Sequence, residues 1–247
     1  MTTIAPEHET KTAGKDDTLF ATVDLTDWLI RCQKADVPVV PATICPFSAS
    51  SKAMLQGHHD ELKAIDHWTS ENWETKGYSQ SIWRWTLCAP IPIKAAMSHP
   101  GLPVRLGSPL ENIQDKRFQS ILANCSKAGI STVTTVIRPW IQAAIEFDYP
   151  VEFRVFVTQS GTTSTSSYYT QRSLGKKWMP YAKKASSLAK LLRPFVPERV
   201  SYSADFLVTK DTKDKQILFL EGGPPPEFGG DPCLLTPSEI GNGRILL

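Results

Sequence analysis

No stretch of the chain approaches the roughly 20 consecutive apolar residues that a membrane-spanning helix needs. The opening MTTIAPEHETKTAGKDD is polar with mixed charge, unlike a signal or transit peptide. The expectation is a cytoplasmic protein with no membrane partner. Cysteine is sparse and scattered: Cys32, Cys45, Cys88, Cys125 and Cys233 are odd in number and form no CxxC pair. That argues against a disulfide framework or a zinc knuckle and for reduced packing residues. Compact catalytic signatures are also missing. There is no GxxxxGK(S/T), no HExxH, no GxSxG and no GxGxxG after a strand. ADFLV is no kinase DFG, since no HRD precedes it, and no internal repeat is present.

What is present is a globular composition. Of 247 residues 41% are hydrophobic and 21% charged, with seven Trp, which excludes wholesale disorder and a coiled coil. The length fits one large domain or two joined lobes. Net charge is +2, but unevenly spread: residues 1–80 hold 7 Lys+Arg against 12 Asp+Glu, leaving 20 against 13 for residues 81–247. Residues 153–197 contain no acid and eight bases, Arg154, Arg172, Lys176, Lys177, Lys183, Lys184, Lys190 and Arg193. Such a segment attracts nucleotide phosphates, an acidic substrate or nucleic acid, or is a solvated helix face, since three of the lysines lie in the helical pattern YAKKASSLAKLLRPF.

Residues 1–18 read as a disordered tail. Residues 19–80 read as an N-terminal α/β subdomain on the substrate side: a short strand, a helix capped by Asp24 or Thr26 in DLTDWLIRCQK, and a second helical stretch ending before Gly77. Residues 81–135 form a small lobe, with the aromatic strand YSQSIWRWTLCAPIPIK and the helix DKRFQSILANCSKAG, which stops at Gly129. Residues 136–247 form a large lobe with strands in VIRPWI, VEFRVFV and STSSYYTQR, the helix YAKKASSLAKLLRPF, and a closing hairpin SYSADFLV, TKDTKDK, QILFLEGG. Mixed helices and frequent hairpins predict an α+β fold with antiparallel sheets.

The hairpin carries the strongest chemical signal. With its turn centred on Thr212 or Lys213, period-two alternation puts Asp205 and Glu221 on one face, opposed or one pair apart. Two acids side by side among Phe206, Leu207, Phe219 and Leu220 repel unless a cation lies between them, and nucleotide-bound Mg²⁺ takes such hard oxygen ligands. The alternative is an edge hairpin whose acids pair with its own lysines. On VEFRVFV, Glu152 and Arg154 share a face where an unpaired charge is expensive. Either they pair with each other, or Glu152 orients Arg154 toward a phosphate or carboxylate. Arg138 and Trp140 frame a purine, or Trp140 is ordinary core. His58 and His59 point about 100° apart on a helix and read as surface residues. Cys88 reads as a small buried hydrophobe.

The order IRPWI, EFRVFV, SYYTQR, YSADFLV, FLEGG resembles the C-terminal catalytic half of ATP-grasp proteins over roughly residues 80–233. It is most similar to the compact clade of bacteria and phages and to its relatives, the eukaryotic initiation-factor assembly chaperones. The resemblance implies two α+β lobes clamping ATP, with cofactors ATP and Mg²⁺. It implies that Arg84 and Lys94 contact phosphates and that the VIRPWI backbone at Ile137 meets adenine with Arg138 and Trp140 alongside. Arg154 and Arg172, with Glu152, would stand near the transferred phosphate, and Asp205 and Glu221 would hold the metal. Where the family carries Asn two positions after the second acid, this chain has Gly223, so a water or Glu227 must substitute or activity falls. The implied activity is a carboxylate–amine ligase working through an acylphosphate, on small-molecule or peptide carboxylates and amines or a macromolecular acceptor. The alternatives are a nucleotide-binding assembly chaperone without turnover, and nucleic-acid binding through residues 153–197.

Overall fold

A computed structural model describes residues 22–58, 60–76, 80–89, 107–170, 173–210, 215–226 and 230–247. Lys94, Arg172, His59 and Glu227, and the tail over residues 1–18, lie outside these residues.

Two hydrophobic cores organise the chain. The smaller lobe is built on a three-stranded antiparallel sheet of β1 (Thr43–Ile44), β3 (Ser81–Trp85) and β5 (Thr135–Pro139), with β5 in the middle. Trp83 and Trp85 enter its core, where Trp85 stacks on Phe118 at 4.5 Å between centroids. A second small ladder joins β2 (Ala49–Ser50) to β4 (Thr132–Val133). The helical stretch expected before Gly77 is two helices, α2 (Ser51–Leu55) and α3 (Asp60–Lys76). The break falls at Gly57, whose φ of +78° is a left-handed stop that a residue with a Cβ resists. Helix α4 (Lys116–Lys127) begins at Asp115, whose carboxylate accepts from Phe118 N at 2.9 Å, and stops before Gly129 with φ +88°.

The larger lobe is a five-stranded sheet in the order β11 (Ile217–Gly223), β10 (Tyr202–Val208), β8 (Glu152–Val157), β9 (Thr163–Ser167), β12 (Ile245–Leu246). All pairings are antiparallel except that of β12 with β9. Alternation gives this sheet two unlike faces. Val151, Phe153, Val155, Tyr202, Ala204, Phe206, Ile217 and Phe219 enter the larger core. That face is covered by α5 (Met179–Leu191), through Ala182, Ala185 and Ala189, and by α1 (Leu25–Lys34), through Leu25, Trp28 and Cys32. Asp24 caps α1 as expected, its carboxylate accepting from Thr26 N at 2.7 Å. Each large side chain so buried is worth about 1.5–3 kcal/mol.

The described residues between 22 and 80 therefore do not share a core of their own. Helix α1 belongs to the larger lobe, while residues 43–76 complete the smaller one. The boundary expected at 136 falls inside β5, and the chain changes lobe just beyond it. Trp140 N donates to Gln80 O at 2.7 Å, still on the small lobe, whereas Ala144 N donates to Val208 O at 2.8 Å on the large one. A hairpin of β6 (Ile145–Glu146) and β7 (Tyr149–Pro150) was not expected. Its two-residue turn places Phe147 and Asp148 at φ +51° and +69° without the usual Asn-Gly or Asp-Gly signature. Among the described residues no helix is long and apolar enough to cross a membrane.

Candidate functional site

The second face of the large-lobe sheet carries the charge. Asp205 and Glu221 lie directly opposite each other on β10 and β11. The route to that pairing differs from simple alternation. Between Val208↔Ile217 and Phe206↔Phe219, even positions face odd ones, a register that would put Asp205 opposite Leu220. A β-bulge between Asp205 and Phe206 leaves Leu220 as the extra residue and brings Glu221 into place. Leu220 and Glu221 consequently point to the same side, while Phe219 and Gly222 point to the other. Gly222 is required there: a Cβ would stand 2.1 Å from Trp28 Cε2.

Each acid is held by an arginine. Arg154 grips Asp205 with two parallel bonds, Nε to Oδ1 and Nη2 to Oδ2, both 2.7 Å, and its Nη1 donates to Asp231 O at 3.2 Å. The guanidinium also lies 4.7 Å from the Tyr168 ring centroid. Burial pulls the Arg154 pKa down, but the adjacent Asp205 carboxylate outweighs it and holds the group charged, well above its ordinary range. The fork partner of Arg154 is thus Asp205 rather than Glu152. Cross-strand register, Arg154↔Asp205, prevails over the same-strand neighbour. Glu152 bonds the Tyr169 side chain, and burial followed by that carboxylate drives the phenol pKa up. Arg84, on β3 of the smaller lobe, pairs with Glu221 across the gap between the two sheets, and its Nε donates to Trp85 O at 3.1 Å. Trp83 and Trp85 fill the small-lobe core, so alternation turns Arg84 the other way.

The expected adenine contacts fall differently. Ile137 is buried in the middle strand of the small-lobe sheet, paired with Thr43 on one side and Trp83 on the other. Its backbone lies within the ladder. The Arg138 guanidinium does not frame a ring: Nη1 donates to Leu220 O at 2.5 Å and Nη2 to Val40 O at 2.8 Å. Burial, then the Arg84 charge, pull its pKa down, and the Glu221 carboxylate opposes them. Arg138 is a clip between β11 and the segment at Val40. Trp140 packs partly buried against the small-lobe core.

An apolar platform went unnoticed in the sequence. Leu207, Leu218, Leu220 and Val40 cluster with Ile141 and Ala143 beside the acids, on the same face as Asp205. The leucines keep 7–9% of their surface, whereas Phe206 and Phe219 on the opposite face keep none. Along β10 the face therefore runs from apolar at Leu207 to acidic at Asp205 to hydroxylic at Ser203. The signal was available as the alternation of leucines on β10 and β11, which read only as flanking residues.

Lys183, Lys184 and Lys190 are exposed on the solvent side of α5, Lys177 pairs with Glu146 at 2.7 Å, and Arg193 donates to Val200 O. His58 is exposed. Cys88 is buried, and burial pushes its thiol up to about 11.

Among the described residues no group of three or more His, Cys, Asp or Glu side chains could hold a metal. Two facing carboxylates are a poor cage for a free ion. They suit magnesium carried on a nucleotide, which keeps waters and phosphate oxygens and needs one or two carboxylates from the protein.

No family model and no curated protein sequence matches the chain. Solved structures do. Cdc123 from Schizosaccharomyces pombe is 14% identical, with a TM-score of 0.61 over 95% of this chain and 99% of that one. Its C-terminally truncated form is 15% identical, with a TM-score of 0.60 over 95% and 98%. N5-carboxyaminoimidazole ribonucleotide synthetase from Thermotoga maritima is 13% identical, with a TM-score of 0.43 over 85% of this chain and 43% of that one. Two α+β lobes, antiparallel sheets and likeness to Cdc123 along nearly the whole chain agree: this protein has the ATP-grasp fold.

Proposed function

We propose that the chain binds Mg·ATP between its two sheets and uses it as an ATP-dependent carboxylate–amine ligase. The observation that carries the reading is the in-register pair Asp205 and Glu221, set beside an apolar platform on one face and opposed by Arg84 from the other lobe. The base would rest on Leu207, Leu218 and Leu220, and the phosphates would reach Arg84 and Arg154. Lys94 and Arg172 join them through the sequence resemblance alone. Bound magnesium supplies neutralisation of phosphate charge, held by Asp205 and Glu221.

In the reaction a substrate carboxylate oxygen attacks the γ-phosphorus, the bond to the β-phosphate oxygen breaks, and ADP leaves. An amine then attacks the acyl carbon, and phosphate departs with the C–O bond. The protein's residues position and neutralise. Arg154 is charged and fixed by its fork to Asp205, so it is preorganised toward developing phosphoryl charge. Arg84 can exchange Glu221 for phosphate when nucleotide arrives. No residue need become covalently modified.

A second reading, nucleotide binding by an assembly chaperone without turnover, is favoured by Gly223 and by the whole-chain likeness to Cdc123. ADP release separates the two. Incubation with Mg·ATP and pooled amino acids and amines is expected to release ADP above the substrate-free rate. Nucleotide binding with no release under any pool would overturn the ligase reading and leave the second.

A further inference from the structure

Magnesium held by two carboxylates needs further oxygens, and the next position on that face along β11, Gly223, offers no side chain. Its strand partner on β10 does. Ser203 pairs directly with Gly223, one step beyond the Asp205↔Glu221 pair, and lies on the same face as Asp205. Its hydroxyl is 3.4 Å from where a Cβ on Gly223 would stand, so it occupies the edge of the space that a side chain there would use. Ser203 is buried, at 3% exposure, and its Oγ donates to Pro224 O at 3.2 Å. A hydroxyl whose proton is committed to a carbonyl turns its lone pairs to the other side. By alternation Ser203 shares the face of Asp205, so those lone pairs are available on the acidic face.

Resting on the nucleotide reading above, we infer that Ser203 supplies the oxygen that position 223 lacks and orders the magnesium shell, directly or through one water. It is a metal-positioning residue, and the face uses one residue from each of three places: Asp205, Glu221 and Ser203.

Calorimetric titration with ATP, in Mg²⁺ and in EDTA, tests this on four proteins: the parent, Asp205→Asn, Ser203→Ala and Ser203→Ala/Gly223→Asn. Gly223 has no left-handed φ, and a Cβ there would meet only Ser203 Oγ, so a side chain can be introduced at 223 once the hydroxyl is gone. The expected result for Ser203→Ala is weaker Mg·ATP binding by about tenfold, the scale on which loss of one supporting group weakens a metal site. Its affinity for ATP in EDTA should equal the parent's, and Gly223→Asn should restore the Mg²⁺-dependent part. Unchanged Mg·ATP affinity in Ser203→Ala, or equal losses with and without Mg²⁺, would overturn the role of Ser203 alone. A parent that shows no Mg²⁺-dependent binding, or an Asp205→Asn that binds like the parent, would overturn the nucleotide reading and this inference with it.

Discussion

Replacing Arg154 with methionine isolates the most buried charge pair of the face. Asp205 is 2% exposed and accepts both of its fork bonds from this one guanidinium. Without it the buried Asp205 carboxylate loses the guanidinium that forks it. Removing one partner of a buried pair costs about 3–5 kcal/mol, because the surviving ion keeps its desolvation penalty. Methionine keeps an unbranched stem but also loses the guanidinium's contact with the Tyr168 ring, so the pair's own share is read from the double variant. Urea unfolding followed by tryptophan fluorescence should show a much lower midpoint for Arg154→Met. Arg154→Met/Asp205→Leu, which removes both charges, should regain most of the loss. If the single variant unfolds at the parent midpoint, or the double variant is as unstable as the sum of the singles, the pair is not the buried, coupled unit described here.

Gly222→Ala places a methyl inside the Trp28 ring volume and should destabilise by about 1–3 kcal/mol, read as a lower urea midpoint; an unchanged midpoint would mean that α1 does not back the hairpin. Glu221→Gln should abolish Mg²⁺-dependent nucleotide binding and also break the tie between lobes made with Arg84, so the variant should gain protease sensitivity around residues 140–144. Burial pushes Cys32 and Cys125 up to about 12 and Cys88 up to about 11. These thiols should resist a thiolate-seeking reagent at pH 8 in the native protein and react on unfolding. Rapid native labelling of any of the three, located by mass spectrometry, would contradict their placement in the cores.

Part of the charged face was legible because β8 and β10 alternate cleanly. Asp205 and Glu221 sit in long apolar strands around a charged turn, and parity about that turn predicts one shared face, but in the register the hairpin adopts it is the bulge that brings Glu221 to that face. The bulge that completes their pairing leaves no mark in the sequence, since an extra residue in a strand looks like any other. Parity also misdirected: Glu152 and Arg154 share a face, but cross-strand register, which depends on how β8 meets β10, gave Arg154 to Asp205. Helix α1 buries Leu25, Trp28 and Cys32, and spacing can say which face of a helix is covered but not by what, so its place in the larger lobe was hidden. Strand β9 is Ser and Thr throughout and wholly buried. Its hydroxyls bond to the closing segment, Ser164 Oγ to Glu239 O at 2.9 Å and Leu234 N to Ser166 Oγ at 3.0 Å. Hydrophobicity cannot signal that kind of burial.

The central claim is that this face binds nucleotide through magnesium, and calorimetric titration of the full chain with ATP, with and without Mg²⁺, tests it most directly. The account predicts one site whose affinity rises sharply with Mg²⁺ and whose Mg²⁺ dependence disappears in Asp205→Asn. No binding in either condition, or binding indifferent to Mg²⁺ and to Asp205, would contradict it.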